Sequence, residues 1–121
     1  MPNRKVLIVD DSKAERYLLS EMLQKNGYVV FTAENGTEAL SKADEIQPDV
    51  ILMDVVMPGA SGFQATRSIS RNEGTKHIPI IICSSKGQET DKIWGLRQGA
   101  REYLVKPVIE AELLQKIAAL T

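Results

Sequence analysis

Three runs of strand length are apolar without alternation: Val6-Leu7-Ile8-Val9, Val50-Ile51-Leu52-Met53 and Ile78 to Cys83. A strand with one wet face alternates apolar and polar residues, so a run without alternation needs cover on both faces. Their β-branched content favours strand over buried helix. Two weaker runs, Tyr28 to Ala33 and Tyr103-Leu104-Val105, complete a set of five. Helical spacing fills the intervals. Ala14, Leu18, Leu19, Met22 and Leu23 recur every three or four residues, and Gly27 stops that helix. Ala39, Leu40, Ala43 and Ile46 mark a second helix, closed by Pro48; Phe63, Thr66 and Ile69 mark a third. Ile93 and Ala100 bracket a fourth, and Leu113, Leu114, Ile117 and Leu120 mark a fifth. Ser12-Lys13-Ala14-Glu15 and Ser61-Gly62-Phe63-Gln64 both have the capping-box pattern of a helix start. Strict alternation of β and α with short connections predicts an α/β, doubly wound domain: one parallel sheet, helices on both faces, right-handed crossovers.

At 121 residues the chain has room for one core, so residues 1–121 are expected to form a single domain with no output domain after the fifth helix. The net charge is −1 with both signs interspersed, which argues against a nucleic-acid or membrane-surface binder. No apolar stretch approaches the roughly 20 residues of a membrane span. Met1-Pro2-Asn3-Arg4-Lys5 runs straight into the first strand, without a signal-peptide pattern. A cytoplasmic monomer is the simplest expectation. The lone Cys83 sits inside an apolar run and reads as a small hydrophobe.

In an open parallel sheet, functional groups gather at the carboxyl ends of the strands. Asp10 and Asp11 end the first strand and Asp54 the third; Ser84 and Ser85 follow the fourth, and Lys106 follows the fifth. Three carboxylates, two hydroxyls and one ammonium therefore converge on one edge. Two unit charges about 4 Å apart interact by about 4 kcal/mol at an effective dielectric of about 20, so this cluster needs positive charge. Ligands that are all oxygen suit a hard cation such as Mg²⁺, with Mn²⁺ or Ca²⁺ as substitutes. Lys106 supplies more. One strand-end Asp is usually a turn or cap residue; three of them, with a lysine and a hydroxyl all at strand ends, make a site.

Val6-Leu7-Ile8-Val9-Asp10-Asp11-Ser12, then Leu52-Met53-Asp54-Val55-Val56-Met57-Pro58-Gly59, then Ser84, then Lys106-Pro107 together resemble a receiver domain of two-component signalling, the CheY-like family. The resemblance covers nearly the whole chain. It implies a flavodoxin-like sheet in the order 2-1-3-4-5. It implies that Asp54 is the phosphoacceptor and that Asp10, Asp11, Asp54 and the backbone carbonyl of Val56 hold the metal. Lys106 would contact a phosphoryl oxygen, Ser84 would be the switch hydroxyl, and Tyr103 the switch aromatic. The Lys106–Pro107 peptide would be cis. A narrower resemblance, carried by Gly62-Phe63-Gln64-Ala65-Thr66-Arg67, Gln88 to Gly95 and Arg97-Gln98-Gly99-Ala100-Arg101, is to twitching-motility regulators of the PilG and PilH kind. That implies a CheA-like sensor histidine kinase as donor and a downstream motility protein as target. The protein would be a phosphoacceptor rather than an enzyme.

Three residues depart from the family pattern. Val56 stands where CheY-like proteins often carry Asn, Lys86 stands where an acid is common, and the switch hydroxyl is Ser rather than Thr. Two functions remain beside the main reading: a phosphate sink or scaffold in the same pathway, and a haloacid-dehalogenase-like phosphatase. The phosphatase wants an acid two residues after its nucleophile, where this chain has Val56. A flavin binder fails because Asp10-Asp11 would repel phosphate after the first strand. In the fourth helix, Trp94 and Leu96 are separated by roughly 200° of rotation. With Ile93 and Ala100 facing the core, one of the two is expected to be exposed and to belong to a partner face.

Overall fold

The computed structural model describes residues 4–57, 59 and 61–121; Pro58 of the motif and the first three residues lie outside them. Five strands alternate with five helices: β1 (Lys5–Val9), α1 (Lys13–Gln24), β2 (Val29–Ala33), α2 (Gly36–Ile46), β3 (Val50–Met53), α3 (Gly62–Arg71), β4 (Ile80–Ser84), α4 (Glu89–Arg97), β5 (Glu102–Val105) and α5 (Glu110–Leu120). All pairings are parallel and the order is β2-β1-β3-β4-β5.

The non-alternating strands divide their residues between two cores. Leu7, Val9, Ile51, Met53, Ile80 and Ile82 pack with Ala39 and Ala43 of α2 and Ala65 and Ile69 of α3. Their neighbours Val6, Ile8, Val50, Leu52, Ile81 and Cys83 pack with Leu19 and Leu23 of α1 and Leu113 and Ile117 of α5. A one-residue slip of any central strand would exchange its two faces, so the register is strongly specified.

The helix ends follow local chemistry. Ser61 and Gln64 form a complete capping box, each side chain accepting from the other's backbone N–H at 3.3 and 2.9 Å. At α1 only half of the box forms. The Ser12 hydroxyl accepts from the Glu15 N–H, but the Ser12 N–H is taken by Asp10 Oδ1 at 2.9 Å, so Glu15 has nothing to bond there. Gly27, after α1, has φ +88°.

Several strand boundaries shift by one or two residues, most at β4, and one helix differs from expectation. β4 begins at Ile80 and includes Ser84 as its last residue. Pro79 stands at its entry, where a missing N–H costs nothing, and its carbonyl accepts from Ile51. The larger correction is α4. Ile93 is 45% exposed and does not face the core; Trp94 at 50% and Leu96 at 48% are both exposed rather than one of them. The helix meets the sheet through Gly95. A Cβ there would stand 2.8 Å from Ile82 Cδ1 and 3.0 Å from the Tyr103 ring. The contact is too close for a side chain, so the large residues on either side point outward.

Thr66, in α3, is fully buried and its Oγ1 has no hydrogen-bond partner. Burying an unpaired hydroxyl costs about 1–3 kcal/mol by mutational data. Thr66→Val is therefore expected to stabilise the fold by about 1 kcal/mol. Urea unfolding should show a higher midpoint at unchanged slope; a lower midpoint would mean that the hydroxyl is needed.

Candidate functional site

The register ends β1, β2 and β3 at one level and carries β4 and β5 two residues further. Val9 pairs with both Ala33 and Met53, and Ser84 pairs with Val105. The next residues, Asp10 and Asp54, therefore leave the sheet side by side. Their N–H groups still bond to the neighbouring strands, Asp10 to the Ala33 carbonyl and Asp54 to that of Val9. Asp10 is 2% and Asp54 8% exposed, while Asp11 faces solvent. One carboxylate oxygen from each lies within 4.8 Å of the others. Lys106 closes the group: its Nζ is 3.0 Å from Asp10 Oδ2 and 3.2 Å from Asp54 Oδ1. Its backbone N–H donates to the Ser84 carbonyl, and the Lys106–Pro107 peptide bond is cis. Ser84 is fully buried, its hydroxyl accepting from the Lys86 N–H at 3.1 Å. Half-buried Tyr103 donates its phenol proton to the Lys86 carbonyl at 2.6 Å. Val56 is 58% exposed, just beyond Asp54.

A family model of the response regulator receiver domain matches residues 6–118. The chain belongs to the response regulator receiver domain family. Among its relatives, protein PilH of Pseudomonas aeruginosa is 55% identical over 115 residues, 95% of both chains. Among solved structures, chemotaxis protein CheY4 of Vibrio cholerae superposes with a TM-score of 0.91 at 37% identity, over 98% of this chain and 99% of that one. The CheY of a CheX–CheY–BeF3–Mg complex from Borrelia burgdorferi matches with a TM-score of 0.89 at 30% identity, over 97% and 88% of the two chains. This receiver is thus a response regulator of CheY-like fold. The three clustered carboxylates fit what a hard cation needs: oxygen donors, close together, with one of them open to solvent.

The receiver's site carries stored repulsion. Burial pushes the Asp54 carboxyl above its ordinary range, the charge of Asp10 pushes the same way, and Lys106 offsets only part of this. For Lys106 burial alone would lower the ammonium, but bonds to Asp10 and the charges of Asp54 and Asp10 outweigh it and hold it above the usual lysine value. Burial raises the Tyr103 phenol, partly offset by the Ser84 hydroxyl beside it. Cys83 is pushed up to about 12 by complete burial, which keeps the thiol neutral.

Sequence reasoning missed three residues here. Glu15, freed from its cap, lies 4.0 Å from Lys106 Nζ. Arg16 donates to the Asp10 carbonyl at 2.8 Å and pairs with Glu34 at 3.5 Å. Helical side chains lean toward the N-terminus, so residues of the first turn of α1 lie over the end of β1; that signal was present in the sequence. Gly62 starts α3 against the segment that follows β3, its N–H bonded to the Val55 carbonyl. Trp94 and Leu96 lie outside the site. Trp94 lines a surface groove with Phe63, Gln64, Arg67 and Gln98, and Leu96 points away from it.

A Cβ on Gly62 would stand 1.8 Å from the Asp54 carbonyl oxygen and 2.7 Å from Val55 Cα, both backbone atoms that cannot step aside. Gly62→Ala should destabilise the receiver by about 1–3 kcal/mol in urea titration. Unchanged stability would mean that α3 can shift freely. The raised Asp54 makes a second expectation. A carboxyl whose folded value lies above its unfolded value stabilises the fold below the unfolded value of 3.8, and loses that contribution as pH rises through the folded one. Without added metal, Asp54→Asn should therefore raise the urea midpoint at pH 7 and leave it nearly unchanged near pH 3. Equal midpoints at pH 7 would show that Lys106 fully compensates the charge.

Proposed function

We propose that this receiver is a stand-alone response regulator that takes a phosphoryl group on Asp54 from a CheA-like sensor histidine kinase. Through a downstream motility protein it would act in a chemotaxis-like pathway controlling type IV pili, in the cytoplasm and as a monomer. The observation that carries the reading is the Lys106 ammonium held against both Asp10 and Asp54 beside the solvent-facing Asp11. The likeness to PilH over 95% of both chains supports the pathway.

An Asp54 carboxylate oxygen is a competent nucleophile for phosphorus and gives an acyl phosphate. Charge then gathers on the equatorial phosphoryl oxygens, and positioning with electrostatics supplies most of the catalysis. Asp10, Asp11, Asp54 and the Val56 carbonyl would hold a Mg²⁺ ion, which supplies positive charge to those oxygens when bound. Lys106 supplies a second positive charge from the β5 side. The Ser84 hydroxyl donates to the product, and Tyr103 follows the loop that Ser84 pulls. The protein is a phosphoacceptor that assists its own chemistry rather than a turnover enzyme. A phosphatase reading is not favoured, because Val56 offers no acid–base group. Trp94 and Leu96, both exposed on α4, are the proposed partner-facing residues.

The deciding experiment is intact-mass measurement after incubation with acetyl phosphate and Mg²⁺. The wild-type chain should gain one phosphoryl group and Asp54→Asn none, while the variant keeps its circular dichroism spectrum. Persistent phosphoryl on the variant would reassign the acceptor, and no phosphoryl on the wild type would sink the reading.

A further inference from the structure

The site's rim carries a fourth carboxylate that none of the roles above uses. Ser12-Lys13-Ala14-Glu15 has the sequence of a capping box, and in such a box the glutamate would be spent on the Ser12 N–H. Here Asp10 Oδ1 takes that N–H, and the displaced Glu15 carboxylate lies 4.0 Å from Lys106 Nζ. Lys106 is thereby faced by three carboxylates, those of Asp10, Asp54 and Glu15. The nearby guanidinium of Arg16 does not relieve Glu15, because it is committed to the Asp10 carbonyl and Glu34. The Lys106 side chain is 16% exposed and that of Glu15 38%, so Glu15 is the more open member of the pair, at the rim of the site.

Any donor brings its phosphoryl oxygens toward Lys106, and Glu15 is a half-exposed carboxylate already 4.0 Å from that ammonium. We propose that Glu15 is a positioning residue that sets which phosphoryl donors the site accepts, competing for Lys106 and repelling dianionic donors more than monoanionic ones. The proposal rests on Asp54 phosphorylation as read above. Two small donors separate charge from reaction. Acetyl phosphate is a dianion: an Asp54 oxygen bonds to phosphorus while the P–O bond breaks and acetate leaves with its electron pair. Phosphoramidate at neutral pH is a monoanion with a protonated nitrogen. The same P–O bond to Asp54 forms while the P–N bond breaks, and ammonia leaves with that electron pair. Asp54, the metal ligands and Lys106 serve both reactions, so only the donor's charge differs at the rim.

The test compares phosphorylation rates of wild type, Glu15→Gln and Glu15→Lys with each donor in Mg²⁺ buffer, read by intact mass. Exposed charge pairs are worth little, so the expected change is modest. Glu15→Gln should raise the acetyl phosphate rate relative to the phosphoramidate rate about two- to fivefold. Glu15→Lys should move the ratio further in the same direction. At 1 M salt, where the screening length is about 3 Å, the differences should shrink. A purely structural role would change both rates together and leave the ratio fixed. If wild type is phosphorylated and neither variant moves the ratio, the role of Glu15 is overturned and the phosphorylation reading stands. If neither donor phosphorylates the wild type, that reading fails and takes this proposal with it.

Discussion

One ammonium group ties together the ends of three strands. Lys106 leaves β5, crosses the end of β4 and reaches Asp54 beyond β3 and Asp10 beyond β1. Adjacent strands lie about 4.8 Å apart, so the reach to Asp54 alone spans two strand spacings. A four-carbon stem ending in a compact charge suits that path. A guanidinium, planar and with forked donors, would need a different geometry between two carboxylates. At the end of β4, Ser84 is fully buried and its carbonyl accepts from the Lys106 N–H.

The arrangement depends on register. Val9 pairs with Met53 and Met53 with Ile82, so β4 and β5 run two residues past the ends of β1 and β3, and the central pairings are held by side chains sorted into one core or the other. The apolar strands thus supply the rigidity that lets two buried carboxylates stand together despite their repulsion. The stabilising work is done in the cores, and the strain is concentrated at the edge. Asp54 is held above its ordinary range there, and Gly62 lets α3 approach the carbonyl of Asp54 more closely than any side chain would allow. Natural folds break local rules mainly at functional sites.

The parts of this molecule legible in its sequence are those governed by burial on both faces. Unbroken, β-branched apolar runs such as Val50 to Met53 read as central strands, and a central parallel strand delivers its next residue to the functional edge. Asp10 and Asp54 were therefore readable from position alone, and Lys106 from its place after the weaker fifth run at the sheet edge. The fourth helix was readable as a helix but its facing was not, because its contact with the sheet is made by a glycine. Periodicity registers large apolar residues, and in α4 those are Ile93, Trp94 and Leu96, all turned outward. Glu15 was hidden for another reason. Its spacing from Ser12 has a complete local explanation as a cap, and only the Asp10 bond to the Ser12 N–H shows that the cap is half made.

The same contacts suggest why α4 is packed through a glycine. The Ser84 hydroxyl accepts from the Lys86 N–H, and Tyr103 donates to the carbonyl of that same residue. The Tyr103 ring in turn lies against the place where Gly95 lacks a side chain. One loop residue, Lys86, thus links the site's hydroxyl to the aromatic that seats α4. A serine hydroxyl has a single proton to donate. A phosphoryl oxygen on Asp54 would claim it and draw Ser84 toward the acid cluster, and the Lys86 N–H would have to follow or lose its acceptor. Moving Lys86 moves the carbonyl that holds Tyr103, and with it the ring beneath Gly95. A larger residue at 95 would wedge the helix against that ring; glycine leaves α4 free to resettle, carrying exposed Trp94 and Leu96 with it. Such a coupling would be a population shift between two packings of one short loop, biased by whichever oxygen holds the Ser84 proton.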